Sequence, residues 1–121
     1  MPHLLSPRYT ATEREVEPRV AAHVAFLAGH HAAGVFLLSG QTVPVEEGGA
    51  ILVAGVDRAT AGALTERDPF VRTGVARYTV TTVEPGRVHP APAPLLRAPA
   101  ERVRPPTDGG RPAGGAGGRR A

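Results

Sequence analysis

The chain has 121 residues and a mass of 12.5 kDa, which is enough for one domain and excludes two. It contains no cysteine, so disulfide frameworks and thiolate metal sites are excluded and a reducing cytoplasm is the expected compartment. Residues 1–84 carry seven arginines and nine acids, a net charge of −2, whereas residues 85–121 carry seven arginines and two acids, a net charge of +5.

The first half of the chain predicts two strands around a long helix. Residues 4–11 indicate a first strand, although Pro7 cannot donate a hydrogen bond to a neighbouring strand. Three glutamates from residue 13 onward and Pro18 are typical of a helix start, so we predict a helix over residues 13–33. The apolar run at residues 35–39 then predicts a short buried strand.

The second half repeats this order. Residues 50–56 predict a strand that pairs with the preceding one as a hairpin with a long polar loop. Asp57 is a suitable N-cap for a second helix through Arg67. Residues 75–83 are rich in β-branched side chains and predict the last strand.

The resulting βαββαβ order predicts an α+β, ferredoxin-like domain over residues 1–84, with a four-stranded antiparallel sheet and both helices on one face. The other face needs cover, because a domain of this size buries only about 60% of its unfolded surface. We therefore expect a homodimer. The N-terminus has no signal-peptide pattern, and no apolar run approaches the ~18 residues that span a bilayer, so we expect no membrane partner.

Residues 85–121 contain eight prolines and seven glycines and no aromatic residue. Such a segment cannot bury enough apolar surface to offset chain entropy, so we predict a disordered Pro/Gly/Arg-rich tail. Its arginines are spread out and have no aromatic neighbours. This pattern favours a solvated linker over a nucleic-acid-binding tail.

His23 is the best candidate for chemistry. A helical wheel places Val20, Val24 and Leu27 on an apolar stripe with His23 at its edge, and a half-buried imidazole can act as a general base near neutral pH. Arg19, one turn earlier on the same flank, could hold an anionic or enolate substrate. The alternative is a core-edge histidine that a backbone carbonyl satisfies, beside a solvated arginine.

Other candidates carry weaker signals. His30 and His31 are adjacent and point about 100° apart, so they cannot bind one metal as an i, i+4 pair would, and we predict no metal. Ser39 and Gly40 end a strand, where a hydroxyl and bare backbone could contact a ligand, but no base lies close in sequence to activate Ser39.

Two acidic regions have mainly structural interpretations. Asp68 precedes a proline at the end of a helix, where it would fix a turn, and Phe70 would pack in the core. Glu46 or Glu47 could orient His23 if their loop folded back, although loop acids beside glycines are more often solvated.

Several short stretches occur together at a spacing typical of a known family. They are Arg19-Val-Ala-Ala-His23, Ala33-Gly34, Ser39-Gly40, Gly48-Gly49, and Asp68-Pro69-Phe70 followed by Val71-Arg72 and Gly74. Over about residues 8–84 they resemble the YCII-related family.

The resemblance implies a dimeric α+β barrel with a pocket between sheet and helices that holds a histidine and aspartate pair. The family includes a dehydrochlorinase that acts on a chlorinated hydroxyhydroquinone. His23 matches the family histidine. The family aspartate follows a Gly-Pro after the second strand, whereas Gln41 follows Gly40 here, and the nearest acids are Glu46 and Glu47.

We therefore predict a small enzyme without a cofactor, in which His23 is the general base on a small cyclic or aromatic metabolite in an elimination, isomerisation or cyclisation. The activity would be that of a lyase or isomerase, with a pocket inside the domain or at the dimer interface. The expected substrate-binding residues are Arg19, Phe26, Ser39, Gly40, Asp68 and Phe70. The alternative is a non-catalytic module of the same fold that binds a small ligand or a protein.

Overall fold

Four strands form one antiparallel sheet in a computed structural model that describes residues 1–96. The strands are β1 (His3–Tyr9), β2 (Phe36–Gln41), β3 (Gly49–Val53) and β4 (Ala76–Thr82), and the helices are α1 (Glu13–Val16), α2 (Val20–Ala32), α3 (Arg58–Thr65) and α4 (Pro69–Arg72). The sheet order is β2-β3-β1-β4, with every pair antiparallel. This order confirms the predicted α+β, ferredoxin-like fold and the β2-β3 hairpin.

The long first helix of the prediction is interrupted. Thr12 and Glu15 begin α1 with a capping box, in which the Thr12 backbone N–H donates to Glu15 Oε1 over 2.9 Å and the Glu15 N–H donates to Thr12 Oγ1 over 3.3 Å. A 3-10 turn at Glu17–Arg19 separates α1 from α2. Pro18 lies in this turn and lacks the N–H that a continuous α-helix would use, which accounts for the interruption.

The buried face of α2 differs from the predicted stripe. Val20 and Val24 are 40% and 54% exposed, so the expectation that they face the core was wrong. Leu27, the third member of the predicted stripe, does pack against the core, and Phe26 packs there beside it. These larger side chains remove more apolar area from water than two valines do, and they set the rotation of the helix.

The apolar core fills the space between sheet and helices in two clusters. One consists of Leu5, Phe36, Ile51, Val53, Ala61 and Leu64, and the other of Val16, Phe70, Val75 and Ala76. Phe70 is 2% exposed and belongs to the second cluster. It forms the floor beneath the histidine described below.

The loop between β2 and β3 requires glycine at position 48. Gly48 has a φ of +101°, and a Cβ built on it would lie 2.2 Å from the Pro7 carbonyl oxygen. Only glycine fits a backbone that passes so close to β1 in this conformation.

The sheet face opposite the helices carries three leucines side by side, here called the leucine row. Leu4 is opposite Leu52 across β1 and β3, and Leu38 is opposite Leu52 across β2 and β3. Leu38 is 59% exposed and Leu4 37%. Side chains alternate between the two faces of a strand, so Leu4 points away from the buried His3 and Leu5.

Most of the predicted tail, residues 85–121, lies outside the described residues. Its first part is described, and Ala93–Leu96 forms a 3-10 turn. Within residues 1–96, no helix has the length and apolar character needed to cross a membrane.

Candidate active site

Asp68 begins α4 from a fully buried position. Its side chain has no exposed surface, and its Oδ1 accepts a hydrogen bond of 2.9 Å from the backbone N–H of Phe70. Pro69 occupies the first helical turn, where its missing N–H is not needed. The predicted turn-fixing role of Asp68 and the predicted core position of Phe70 are therefore confirmed.

His23 of α2 contacts both of these residues. Its Nδ1 lies 2.9 Å from Asp68 Oδ1, and its ring stacks on Phe70 with centroids 4.0 Å apart and planes 8° from parallel. The hydrogen bond fixes one edge of the imidazole and the stacking fixes its plane. His23 keeps 16% of its side chain exposed, so its ring contacts solvent.

The ionisation of Asp68 decides which nitrogen of His23 carries the proton. Burial on its own would raise the pKa of Asp68, but hydrogen bonds from His23, Tyr78 and the Phe70 N–H outweigh burial and hold that pKa below its ordinary value. An ionised carboxylate can only accept hydrogen bonds, so His23 donates through Nδ1–H. In the neutral ring the lone pair is then on Nε2, which has no hydrogen-bond partner among residues 1–96.

Tyr78 of β4 supplies a third donor to the same carboxylate. Its hydroxyl donates to Asp68 Oδ2 over 2.5 Å, within the range of bonds to an ionised acceptor. Burial raises the pKa of Tyr78, and the hydrogen bond to Asp68 and the charge of Asp68 raise it further. The hydroxyl therefore stays protonated.

The prediction did not include Tyr78 and left the acidic partner of His23 open, with Glu46 or Glu47 as the alternative to solvated loop acids. Glu46 and Glu47 are exposed in a 3-10 turn and form no hydrogen bond with His23. Asp68 is 45 residues from His23 in sequence, and only the packing of α4 on α2 brings the two together. A half-buried tyrosine on an alternating strand signals a need for a polar partner but does not identify it.

The six predicted substrate-binding residues separate into three pairs. Phe26 is half-buried beside His23, with ring centroids 6.3 Å apart, and Arg19 is exposed at the N-cap of α2. Asp68 and Phe70 are too deeply buried to present surface to a ligand. The expectation of substrate contact does not fit these two, which lie behind His23.

Ser39 and Gly40 lie in β2, where they are close to the C-terminal end of α2. The fold brings His31 to Ser39, with Nε2 and Oγ 2.8 Å apart, although the sequence indicated no base near this serine. Gly40 is exposed, and a Cβ on it would meet nothing within 4 Å. Neither Ser39 nor Gly40 forms a hydrogen bond with the His23–Asp68 pair.

His30 packs between two phenylalanine rings. Its ring lies 4.9 Å from the ring of Phe26 and 4.9 Å from that of Phe36. Burial lowers the pKa of His30, and the charge of Arg67 lowers it further, so its imidazole is neutral at pH 7. In the described part of the chain, no three histidine or acidic side chains cluster as potential metal ligands, and the absence of a metal and of a cofactor stays a prediction.

Comparison with known proteins supports the sequence resemblance. The family model of the YCII-related domain matches residues 1–84. A structure of 5-chloro-2-hydroxyhydroquinone dehydrochlorinase from Burkholderia phenoliruptrix AC1100, in complex with 2,5-dihydroxybenzoquinone, is similar with a TM-score of 0.58 and 18% sequence identity, over 69% of this chain and 94% of that one. No curated protein sequence matches. The family match over residues 1–84 confirms the resemblance, and the chain belongs to the YCII-related family.

Proposed function

We propose that the protein is a small enzyme without a cofactor that uses His23 as general base on a small cyclic or aromatic metabolite. The single observation that carries this proposal is the His23–Asp68 pair, in which Nδ1 is held by a buried carboxylate over 2.9 Å. A histidine oriented in this way presents Nε2 to a substrate as a proton acceptor. The aromatic dehydrochlorinase of similar fold supports the substrate class.

The proposed step is proton abstraction. Nε2 accepts a proton from the substrate, and the resulting imidazolium keeps its Nδ1–H hydrogen bond to Asp68, whose negative charge stabilises the new positive charge. In an elimination, the electron pair left on the substrate forms the new double bond and expels the leaving group with its bonding electrons, and Nε2 then releases its proton to that group or to solvent. In an isomerisation, Nε2 returns the proton to another substrate atom. Arg19 would hold an anionic or enolate oxygen, Phe26 would contact the ring, and Ser39 and Gly40 would contact a more distant part of the substrate.

Titration with 2,5-dihydroxybenzoquinone, followed by chloride release from a chlorinated hydroxyhydroquinone, tests this function. We expect the ligand to shift the NMR signals of His23 and Phe26, whose rings are 6.3 Å apart, while those of the exposed His89 stay constant. Binding without turnover on any quinol would favour the alternative, a non-catalytic binding module. If no signal shifts, the proposed substrate class is wrong.

We also propose that the sheet face carrying the leucine row packs against a second copy of the chain. Leu4, Leu38 and Leu52 form a continuous apolar strip across three strands, and fully burying each leucine would contribute roughly 1.5–3 kcal/mol. An exposed apolar strip on a sheet is typical of an interface.

Leu52→Glu is therefore expected to convert a dimer into a monomer, because it places a charge at the centre of the leucine row. Analytical ultracentrifugation measures the change. Val24→Glu is the matched control, since Val24 is also exposed, at 54%, but lies on α2 away from this face. A monomeric wild-type protein, or equal effects of both variants, would contradict the proposed interface.

A further inference from the structure

We propose that Tyr78 is a positioning residue that acts on His23 through Asp68, by fixing the orientation of the carboxylate that holds the imidazole and by keeping this carboxylate ionised. This inference rests on the proposed function of His23 as a base. It concerns a partly buried residue that forms its hydrogen bond with Asp68 and not with His23.

Hydrogen bonding to Asp68 shows why the carboxylate needs Tyr78. Oδ1 accepts from His23 Nδ1–H and from the Phe70 N–H, each over 2.9 Å. Oδ2 accepts from the Tyr78 hydroxyl, and no other hydrogen bond to Oδ2 comes from residues 1–96. Asp68 has no exposed surface, so bulk water does not contact its carboxylate in the folded protein. Without Tyr78, one oxygen of a buried carboxylate would have no donor.

Three separate elements meet at this carboxylate, and only one of them belongs to the sheet. His23 comes from α2, Asp68 from the connection between α3 and α4, and Tyr78 from β4. Tyr78 is held in register with Pro7 across β1 and β4, and its ring packs against the core. The sheet therefore sets where Oδ2 lies, and this leaves Oδ1 facing His23.

The hydrogen bond from the Tyr78 hydroxyl also affects the ionisation of the Asp68 carboxylate. The Tyr78 hydroxyl is one of the hydrogen bonds that lower the pKa of Asp68, and burial keeps that hydroxyl protonated. A hydrogen bond to an ionised acceptor disperses its negative charge. Tyr78 therefore helps to keep Asp68 ionised, so that the carboxylate accepts the Nδ1–H of His23.

The test is a carboxyl ¹³C NMR titration of full-length protein with labelled aspartate. The chain has three aspartates, and Asp68→Asn identifies the signal of Asp68. We expect Tyr78→Phe to raise the titration midpoint of Asp68, because one of the hydrogen bonds that lower it is lost. A Tyr78→Phe protein that is folded but has an unchanged Asp68 midpoint would overturn the proposal.

Tyr9→Phe is the matched control, because Tyr9 is the other tyrosine of the chain. It is 48% exposed and contacts Phe70 edge-on, with ring centroids 5.7 Å apart, but its hydroxyl has no hydrogen bond within residues 1–96. We expect this variant to leave the Asp68 midpoint in place. A shift as large as that of Tyr78→Phe would indicate a general packing effect and contradict the proposal.

Replacing both tyrosines with 3-fluorotyrosine keeps the test decisive even if Tyr78→Phe fails to fold. The fluorinated phenol is a stronger donor of nearly the same shape, so we expect the Asp68 midpoint to move down, opposite to the change in Tyr78→Phe. An unchanged midpoint would overturn the proposal. None of these readouts needs a substrate, so failure here is distinguishable from failure of the proposed activity. Where a substrate is turned over, Tyr78→Phe should lower kcat and leave KM unchanged.

Discussion

His23→Asn is expected to lower kcat by about 10²–10⁴-fold while the protein stays folded, since positioned general bases typically contribute that much. The asparagine side chain can place an N–H near the position of Nδ1 and keep donating to Asp68 Oδ1, which His23 contacts over 2.9 Å. It has no basic nitrogen corresponding to Nε2. The measurement is kcat on whichever quinol the wild-type protein converts, together with urea unfolding.

The more obvious His23→Ala variant is less informative. It would leave the fully buried Asp68 with one donor fewer, at a cost of roughly 1–3 kcal/mol, whether or not His23 takes part in catalysis. His89→Asn is the control, because His89 is exposed and, within residues 1–96, the hydrogen bond of its ring comes from the Ala91 backbone N–H. Full turnover by His23→Asn would place the base elsewhere and support a structural role for His23.

The sequence predicted the fold well because local signals specify its elements. The N-cap of α3 at Asp57, whose side chain accepts from the Thr60 N–H over 2.7 Å, is visible from residue type alone. Strand β4 follows from its β-branched composition. These interactions join residues close in sequence, so pattern and propensity were sufficient.

The candidate site was harder to predict because its contacts are distant in sequence. His23 could be identified from its place on the helix and from the family motif, whereas its partner Asp68 looked like an ordinary turn residue and does fix a turn. Oδ1 of Asp68 accepts from the Phe70 N–H, which fixes the turn, and also from His23. The residues next to Asp68 in sequence indicate the turn but not the contact with His23. The rotation of α2 likewise depends on the core residues that Phe26 packs against. A helical wheel shows only the helix itself and carries no information about these contacts.

Asp68→Ala is expected to cause the largest loss of stability, about 2–4 kcal/mol at pH 7. The substitution leaves the Tyr78 hydroxyl and the Phe70 N–H buried without an acceptor and removes the N-cap of α4. Urea unfolding measures this loss. Asp57→Ala is the control for capping alone, since Asp57 caps α3 from an exposed position, and its effect should be smaller.

The pH dependence of this loss separates charge from packing. The pKa of Asp68 is lower in the folded protein than its ordinary value, so the ionised carboxylate stabilises the fold fully above the unfolded-state value of about 3.9. That stabilisation is lost as the pH falls through the lower folded-state pKa. The gap between wild type and Asp68→Ala should therefore narrow below about pH 4. A gap that stays constant down to the acid transition would mean that Asp68 contributes through shape and neutral hydrogen bonds. In that case the carboxylate would offer little charge to stabilise an imidazolium at His23.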